Sequence, residues 1–399
     1  MTPTALILAA GINKRLWPIT TSKALLEFAG KPIITYIIDD LKAAGITQFI
    51  IVANPDNQSK LAQLFPQAQI VVQDQPTGMA DGVLTAQKLL TGPILVVNSS
   101  DLFNTSLFTQ VAATLKATAP KVLLMAVSTS QYLPAGYFVL DGDRPVKIIE
   151  KPKIKDKPSN LARAVIDYFA DARILFSQLI RTRAHAEDGY EQALNSILSS
   201  QEVELHTYTG PFHQLKYPWQ ILDMMEFILT TSFKPHQAES VSVHPTAVIA
   251  GPVVLAEGVK VLPHATISGP SFIGPRTIIG NNALVRDSIV AADCIVGYNT
   301  EVARSWVGAK CWFHSNYIGD SVLESDISFG AGALTANFRL DQQPVKDTGR
   351  IKLGAIIGSG TRVGVNTSLM PGIKLGNQVI VGPGLVLNKD LADQQTHFK

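Results

Sequence analysis

A six-residue rhythm governs the C-terminal part of this chain. Val243, Ile249, Leu255, Val261, Ile267, Ile273, Ile279 and Val285 follow at six-residue steps. Ile351, Ile357, Val363, Leu369, Leu375, Val381 and Leu387 repeat the pattern. Neither the period of an amphipathic helix nor the alternation of an ordinary strand sustains that spacing. Hexapeptide repetition marks a parallel β-helix, in which each repeat lays down one flat face and points its apolar residue into a narrow core. The glycines of "FIGP", "IIGN", "IIGS" and "RVGV" suit tight corners between faces. Between Gly332 and Arg350 the phase is lost in "ALTANFRLDQQPVKDTG". Such a polar and basic excursion from a rigid solenoid is a place to look for function.

Residues 4 to 230 obey a different rule. "ALILAA", "QFIIVAN", "AQIVVQ" and "GPILVVN" read as buried strands, and residues 32–45, 56–65 and 80–90 have helical spacing. Strands alternating with helices predict a parallel sheet covered on both faces. "KVLLMAVS", "GYFVL" and "PVKIIE" then succeed one another without helices, which predicts an antiparallel extension. The expected organisation is an α/β domain over residues 1–237, a β-helix over 238–391 and a polar tail over 392–399.

Composition excludes several classes. The 34 basic and 32 acidic residues leave a net charge of +2, too balanced for a nucleic-acid footprint. No apolar run approaches the roughly 20 residues of a membrane span. The apolar stretch from Ala5 to Ala10 lacks the basic flank and the length of a signal segment. Cys294 and Cys311 are the only cysteines and lack zinc spacing, so they read as reduced thiols in the cytosol.

Two stretches carry chemistry. The opening strand runs into "LAAGINKRLWPITTSKALL", residues 8 to 26, which has the outline of a phosphate-binding loop. Gly11 allows close backbone approach, and Lys14, Arg15 and Lys23 supply positive charge. Asp101 follows "ILVVN", at the carboxyl end of a strand where ligands of such sheets bind.

Together with "GKPI" and the hexapeptide region, these motifs resemble the sugar-1-phosphate nucleotidyltransferases. The match is to the bifunctional uridyltransferase/acetyltransferase type that makes UDP-N-acetylglucosamine, over almost the whole chain. The resemblance implies a Rossmann-like domain joined to a left-handed parallel β-helix. It also implies Mg²⁺ as cofactor and UTP, a sugar-1-phosphate and acetyl-CoA as substrates. A cytoplasmic homotrimer assembled through the β-helix is expected, with no nucleic-acid or membrane partner. Gly11, Arg15, Lys23, Gln73 and Gly78 are then nucleotide-binding residues, Gln73 reading the base, and Asp101 is the Mg²⁺ ligand.

"HSNYIGD", residues 314 to 320, resembles the acetyltransferase motif of the same enzymes. A neutral imidazole suits the removal of the proton that glucosamine-1-phosphate loses as its amine attacks acetyl-CoA. The resemblance therefore makes His314 the general base and Tyr317, Asn337 and Lys346 substrate-binding residues.

The N-terminal motifs depart from the family pattern. Asn13 and Lys14 replace a glycine and a threonine; Met79 and Gly82 alter "GMADG". Arg163 and Val165 replace the asparagine and glycine of a sugar-binding stretch, and Gln214 stands where a second Mg²⁺ carboxylate is usual. Asn13 is expected to keep the turn, because asparagine tolerates positive φ. The changes leave two other readings open: a non-catalytic nucleotide-sugar-binding subunit, or a monofunctional hexose-1-phosphate nucleotidyltransferase. "HSNYIGD" favours the bifunctional enzyme, with acetyl transfer better supported than nucleotidyl transfer.

Overall fold

The computed structural model describes residues 2–75, 77–182 and 188–399. Its contacts divide the chain into two units. The first comprises Met1–Ile12, Ser22–Leu26 and Pro32–Phe212; the second comprises Asn13–Thr21, Glu27–Lys31 and His213–Lys399.

In the first unit, strand Thr4–Leu8 lies at the middle of a parallel array, between Phe49–Ala53 and Ile94–Asn98, with Gln69–Val72 beyond. Ala5, Leu6 and Ile7 are wholly buried, as a strand covered on both faces requires. Helix Ile33–Ala43 buries Ile33, Ile34, Ile37, Ile38 and Leu41, one apolar stripe at helical spacing. Where a helix over 80–90 was expected, Met79–Thr85 is helical and a 3₁₀ turn follows at Gln87–Leu89. The antiparallel extension is present: Leu161–Phe169 pairs with Ile94–Asn98 and Val122–Ser128. Gly136–Asp141 and Arg144–Glu150 form the hairpin at its edge.

In the second unit, strands of two or three residues stack into three parallel sheets of 8, 9 and 8 strands. Leu255 lies beneath Ile273, then Val290, Val307, Leu323, Ile357 and Leu375. This is the three-sided coil of the expected left-handed parallel β-helix, and its interior is one continuous apolar cluster. Two members of the periodic series do not join it. Ile249 is 38% exposed on a strand that pairs on one side only, and Ile351 is 47% exposed in the loop before the phase resumes.

The coil also continues where strict periodicity stops. Neighbouring coils are eighteen residues apart at Thr246 and His264, seventeen at Thr277 and Cys294, and sixteen at Ser305 and Ser321. Inward residues accordingly fall at Val290, Val296, Val302, Val307, Phe313, Ile318, Leu323 and Phe329. A corner can lose a residue because buried hydroxyls satisfy its backbone. Ser288 N–H donates to Ser271 Oγ (3.2 Å), Ser305 N–H to Ser288 Oγ (3.0 Å) and Ser321 N–H to Ser305 Oγ (3.0 Å). Ala355 N–H completes the ladder on Ser321 Oγ at 3.1 Å, across the excursion. The segment expected as a polar tail is instead the last rung: Thr396–His397 pairs with Ile380–Val381. Its backbone groups find partners on the sheet edge, which outweighs its polar composition. No helix among the described residues is long and apolar enough to cross a membrane.

Candidate active sites

In the first unit a cavity of about 240 Å³ opens at the carboxyl ends of the parallel strands. Leu8, Val52 and Asn98 contribute from three of them, and Gly11, Gln73 and Gly78 complete the wall. Three of the five expected nucleotide-binding residues are therefore brought together. A Cβ at Gly11 would meet nothing within 4 Å, so the glycine leaves an open approach for a ligand. Gln73 is 6% exposed and donates from Nε2 to Gly78 O at 3.2 Å, which fixes its amide at the cavity wall. Gly82 has a reason here: a Cβ would come within 3.2 Å of Gln73 Oε1.

Lys23 opens the 3₁₀ turn Lys23–Leu25 and is half-buried. Arg15 is exposed on Asn13–Thr21, a segment of the second unit. Asp101 is 6% exposed at the start of strand Asp101–Phe103 and is not among the residues lining the cavity. Gln214 is buried on strand Phe212–Gln214.

Asn13 corrects an expectation. It is absent from the residues with positive φ, so tolerance of a left-handed turn is not its role. Its side chain instead closes the segment, Nδ2 donating to Thr21 O at 2.5 Å.

Sequence reasoning also missed Asn54 and Asn57. Asn57 Nδ2 donates to Ala9 O and to Ser22 Oγ, both at 2.9 Å, and Asn54 Nδ2 to Ala10 O at 3.2 Å. Both amides are nearly sealed from solvent, and they pin the backbone that leads into Gly11 and out to Lys23. Their signal was "VANPDN", polar residues directly after a buried strand.

Arg163 has a structural account. Its guanidinium is buried, 2.5 Å from Asp167 Oδ2 and 3.2 Å from Glu191 Oε1, with the Tyr190 ring centroid at 5.1 Å. Tyr190 O–H donates to Asp167 Oδ2 at 3.0 Å. Burial pulls the guanidinium down, but Asp167 and Glu191 outweigh it and hold Arg163 above its ordinary value. Burial pushes the Asp167 carboxyl up. Arg163 is thus committed to an internal ionic cluster, while Val165 lines the cavity.

In the β-helix, the structure brings Tyr317 and Asn337 together. Asn337 Nδ2 donates to Tyr317 Oη at 3.0 Å and also to Asp320 Oδ2. Asp320 is gripped by Arg304, Nε to Oδ1 and Nη2 to Oδ2, each at 2.7 Å. Those bonds, ahead of the competing burial, raise Arg304 above its ordinary range. Arg304 and Asp320 hold the same left-handed corner on successive coils, φ 48° and 49°. Asp320 closes the quoted motif, and a step of one coil back from it would have found Arg304.

His314 stands exposed where strand Trp312–Phe313 ends, its ring 5.0 Å from that of Trp312. Its backbone N–H donates to Asn316 Oδ1. Asn316 Nδ2 donates in turn to Gly330 O and Ala333 O, both at 2.8 Å. Asn316, the motif's third residue, therefore fixes the backbone that presents the imidazole. Lys346 is not joined to this group; its Nζ pairs with Asp390 Oδ1 at 2.8 Å. Beside Arg304 and Asp320 lies a cavity of about 300 Å³, walled by Arg350 and by Leu222, Met225 and Leu229 of helix Gln220–Thr231.

A strand-end cavity in an α/β sheet and a histidine on a hexapeptide coil define a class: a nucleotidyl transferase fused to an acyltransferase-type β-helix. The nucleotidyl transferase family profile matches residues 4–210. A bifunctional sugar-1-phosphate nucleotidylyltransferase/acetyltransferase of Sulfurisphaera tokodaii is 31% identical, over 97% of this chain and 98% of its own length. Proteins named bifunctional protein GlmU from Methanococcus vannielii and Methanocaldococcus jannaschii are 28% and 29% identical, each over 99% of this chain and 97% of their own length. A Bacillus anthracis structure described as a glucose-1-phosphate thymidylyltransferase shares the fold at a TM-score of 0.51 and 19% identity, covering 57% of this chain and 95% of its own.

The chain belongs to the bifunctional sugar-1-phosphate nucleotidylyltransferase/acetyltransferase family. It is a transferase, and relatives that span its whole length do not favour a purely regulatory role.

Proposed function

We propose that this enzyme acetylates glucosamine-1-phosphate on its β-helix and transfers a uridylyl group from UTP in its α/β unit, forming UDP-N-acetylglucosamine and diphosphate. The observation that carries the proposal is the hydrogen-bonded chain Arg304–Asp320–Asn337–Tyr317, with exposed His314 in the same motif as Tyr317 and Asp320. In the acetyl step the sugar amine attacks the thioester carbonyl, a C–N bond forms, and the C–S bond breaks to release CoA as thiol. His314 takes the proton that the amine sheds. Asn337 and Tyr317, locked by Asp320, orient the sugar, and Arg304 and Arg350 line the adjoining cavity together with Glu226, Asp287 and Asp320.

In the uridylyl step a phosphate oxygen of the sugar-1-phosphate attacks the α-phosphorus of UTP, and the bond to the β-phosphate breaks, releasing diphosphate. Gly11, Gln73 and Gly78 hold the nucleotide, Gln73 facing the base, while Arg15 and Lys23 balance phosphate charge. No three metal-ligating acidic, histidine or cysteine side chains converge among the described residues. Buried Asp101 offers a single hard oxygen donor, which fits a Mg²⁺ held chiefly by nucleotide phosphates. Bound Mg²⁺ offsets the charge of those phosphates.

A homotrimer through the β-helix is supported by apolar side chains left on its outer faces. Ile295 and Trp312, paired neighbours on one face, are 37% and 49% exposed, and Val386 is 69% exposed. A neighbouring copy would complete each acetyl site, which accounts for Lys346 standing on Asp390 in its own chain.

The test is one incubation with glucosamine-1-phosphate, acetyl-CoA, UTP and Mg²⁺, read by mass spectrometry. CoA release and N-acetylglucosamine-1-phosphate that vanish in His314→Ala support the acetyl step. UDP-N-acetylglucosamine that vanishes in Asp101→Ala supports the uridylyl step. Wild-type protein that releases no CoA sinks the first claim, and one that yields no nucleotide sugar sinks the second.

A further inference from the structure

One cation proposed for the sugar site is already engaged within its own β-helix. Lys346 Nζ donates to Asp390 Oδ1 at 2.8 Å, and the two side chains are 46% and 39% exposed. The same carboxylate oxygen accepts Lys374 N–H at 2.9 Å. Leu391, next in the chain, bridges to Leu375, and its N–H donates to Lys374 O at 3.0 Å. Lys374 contributes its backbone; its ammonium lies over the Trp219 ring, 5.4 Å from the centroid. Asp390 is thus the stationary member of the ion pair, fixed by the coil beneath it.

The path of Lys346 to that carboxylate is built in. Lys346 has φ 47°, a left-handed conformation that a lysine adopts only where its surroundings enforce it. Here Val345, 1% exposed, anchors the turn: its N–H donates to Arg350 O at 2.8 Å, and its carbonyl accepts from Thr348 Oγ1 at 2.6 Å. Beyond this base the lysine stem runs past Gly372. A Cβ on Gly372 would collide with Val345 Cγ1 and lie 3.6 Å and 3.8 Å from Lys346 Cδ and Cε. The glycine therefore clears the way along which the stem reaches Asp390. Stem and carboxylate are both held, while the contact at the tip is an exposed ion pair, weak enough for a second anion to take the ammonium.

We propose that Asp390 sets the affinity for the sugar phosphate by competing for Lys346: it holds the ammonium at rest and yields it to the phosphate. The proposal rests on the acetyl reading above, in which Lys346 binds substrate. A phosphate monoester is close to dianionic at neutral pH and offers three strong acceptor oxygens, against the single negative charge of the carboxylate. It wins the exchange, whereas a monoanion has no such advantage. Asp390 stays in place when the lysine leaves, because the Lys374 amide retains it. Asp390→Asn keeps the shape, keeps an oxygen for that amide, and removes the competing charge.

The experiment is steady-state acetylation by the full chain, with glucosamine-1-phosphate varied at saturating acetyl-CoA. Asp390→Asn is expected to lower KM for the sugar phosphate about threefold with kcat little changed. The inhibition constant of inorganic phosphate, competing for the same ammonium, is expected to fall by a similar factor. Lys346→Gln should raise the KM, and adding Asp390→Asn to it should change it far less than in the wild type. A carboxylate that only shaped the corner would not give that pattern. Asp390→Ser also leaves an oxygen for the Lys374 amide and serves if Asp390→Asn fails to fold, with the same fall in KM expected. An unchanged KM overturns the proposal, and so does a raised one, which would mean that Asp390 aims the lysine at the phosphate. Lys346→Gln that acetylates with the wild-type KM removes the lysine from phosphate binding and overturns the proposal while the acetyl reading stands. Wild-type protein that releases no CoA overturns that reading, and the proposal with it.

Discussion

Arg304 and Asp320 face each other one coil apart in a two-point ion pair, and Asp320 also accepts from the Asn337 amide that reaches Tyr317. One carboxylate thus orients three of the side chains around the proposed sugar site. Asp320→Asn keeps the shape but removes the charge that matches the guanidinium fork. KM for glucosamine-1-phosphate is expected to rise about tenfold, with KM for acetyl-CoA little changed. Arg304→Lys keeps a charge but loses the fork and is expected to do the same. Steady-state acetylation assays with each substrate varied in turn check both.

Asn57 is expected to matter far beyond its size. One buried amide holds Ala9 O and Ser22 Oγ, so Asn57→Ala frees both ends of the nucleotide stretch at once. Leaving a buried acceptor unpaired costs about 1–3 kcal/mol, which urea unfolding of the full chain can resolve. KM for UTP is expected to rise in the same variant.

Arg163→Asn tests whether restoring a family residue restores a family site. The structure predicts that it does the opposite. Removing the guanidinium leaves Asp167 and Glu191 buried without their cation, at a cost of about 3–5 kcal/mol. The checks are denaturant unfolding and nucleotidyl transfer, which should fall along with stability.

Asp40, on helix Ile33–Ala43, gives a pH signature. Burial, aided by the neighbouring charge of Asp39, pushes its carboxyl up to about 7. An unfolded aspartate titrates near about 3.9. Between these values the folded chain holds a proton that the unfolded chain has lost, so this group makes stability fall as pH rises through that window. Asp40→Asn should be the more stable protein at pH 8, by about 1–2 kcal/mol after allowance for partial solvent screening, and should match the wild type near pH 3. Thermal or urea unfolding at the two pH values is the measurement.

What could be read from the chain depended on how far a residue's partner lies along it. Leu255, Ile273 and Ile357 announced the β-helix because each repeats its neighbour's environment one coil later. Val290, Val307 and Leu323 sit on the same stack but escaped a strict count of six, since the corners between them are short of residues and closed by serine hydroxyls. His314 and Tyr317 were legible as a motif. Arg304, whose meaning depends on Asp320 sixteen residues on, was not. Arg163 was legible as a departure, but its partner Glu191 lies 28 residues away on another element. Lys346 and Asp390 are 44 residues apart, and no local pattern in either stretch points to the other.

The serine ladder gives the β-helix a direction. Each hydroxyl from Ser271 to Ser321 accepts the amide of the coil that follows it, never of the coil before. A Ser305→Ala change would therefore orphan Ser321 N–H while the bond between Ser305 N–H and Ser288 Oγ stayed in place. Damage at a rung is transmitted one way, towards the C-terminus, and Ser321 is the last rung before the excursion that carries Asn337. A lesion at Ser305 or Ser321 falls on the rungs nearest that loop.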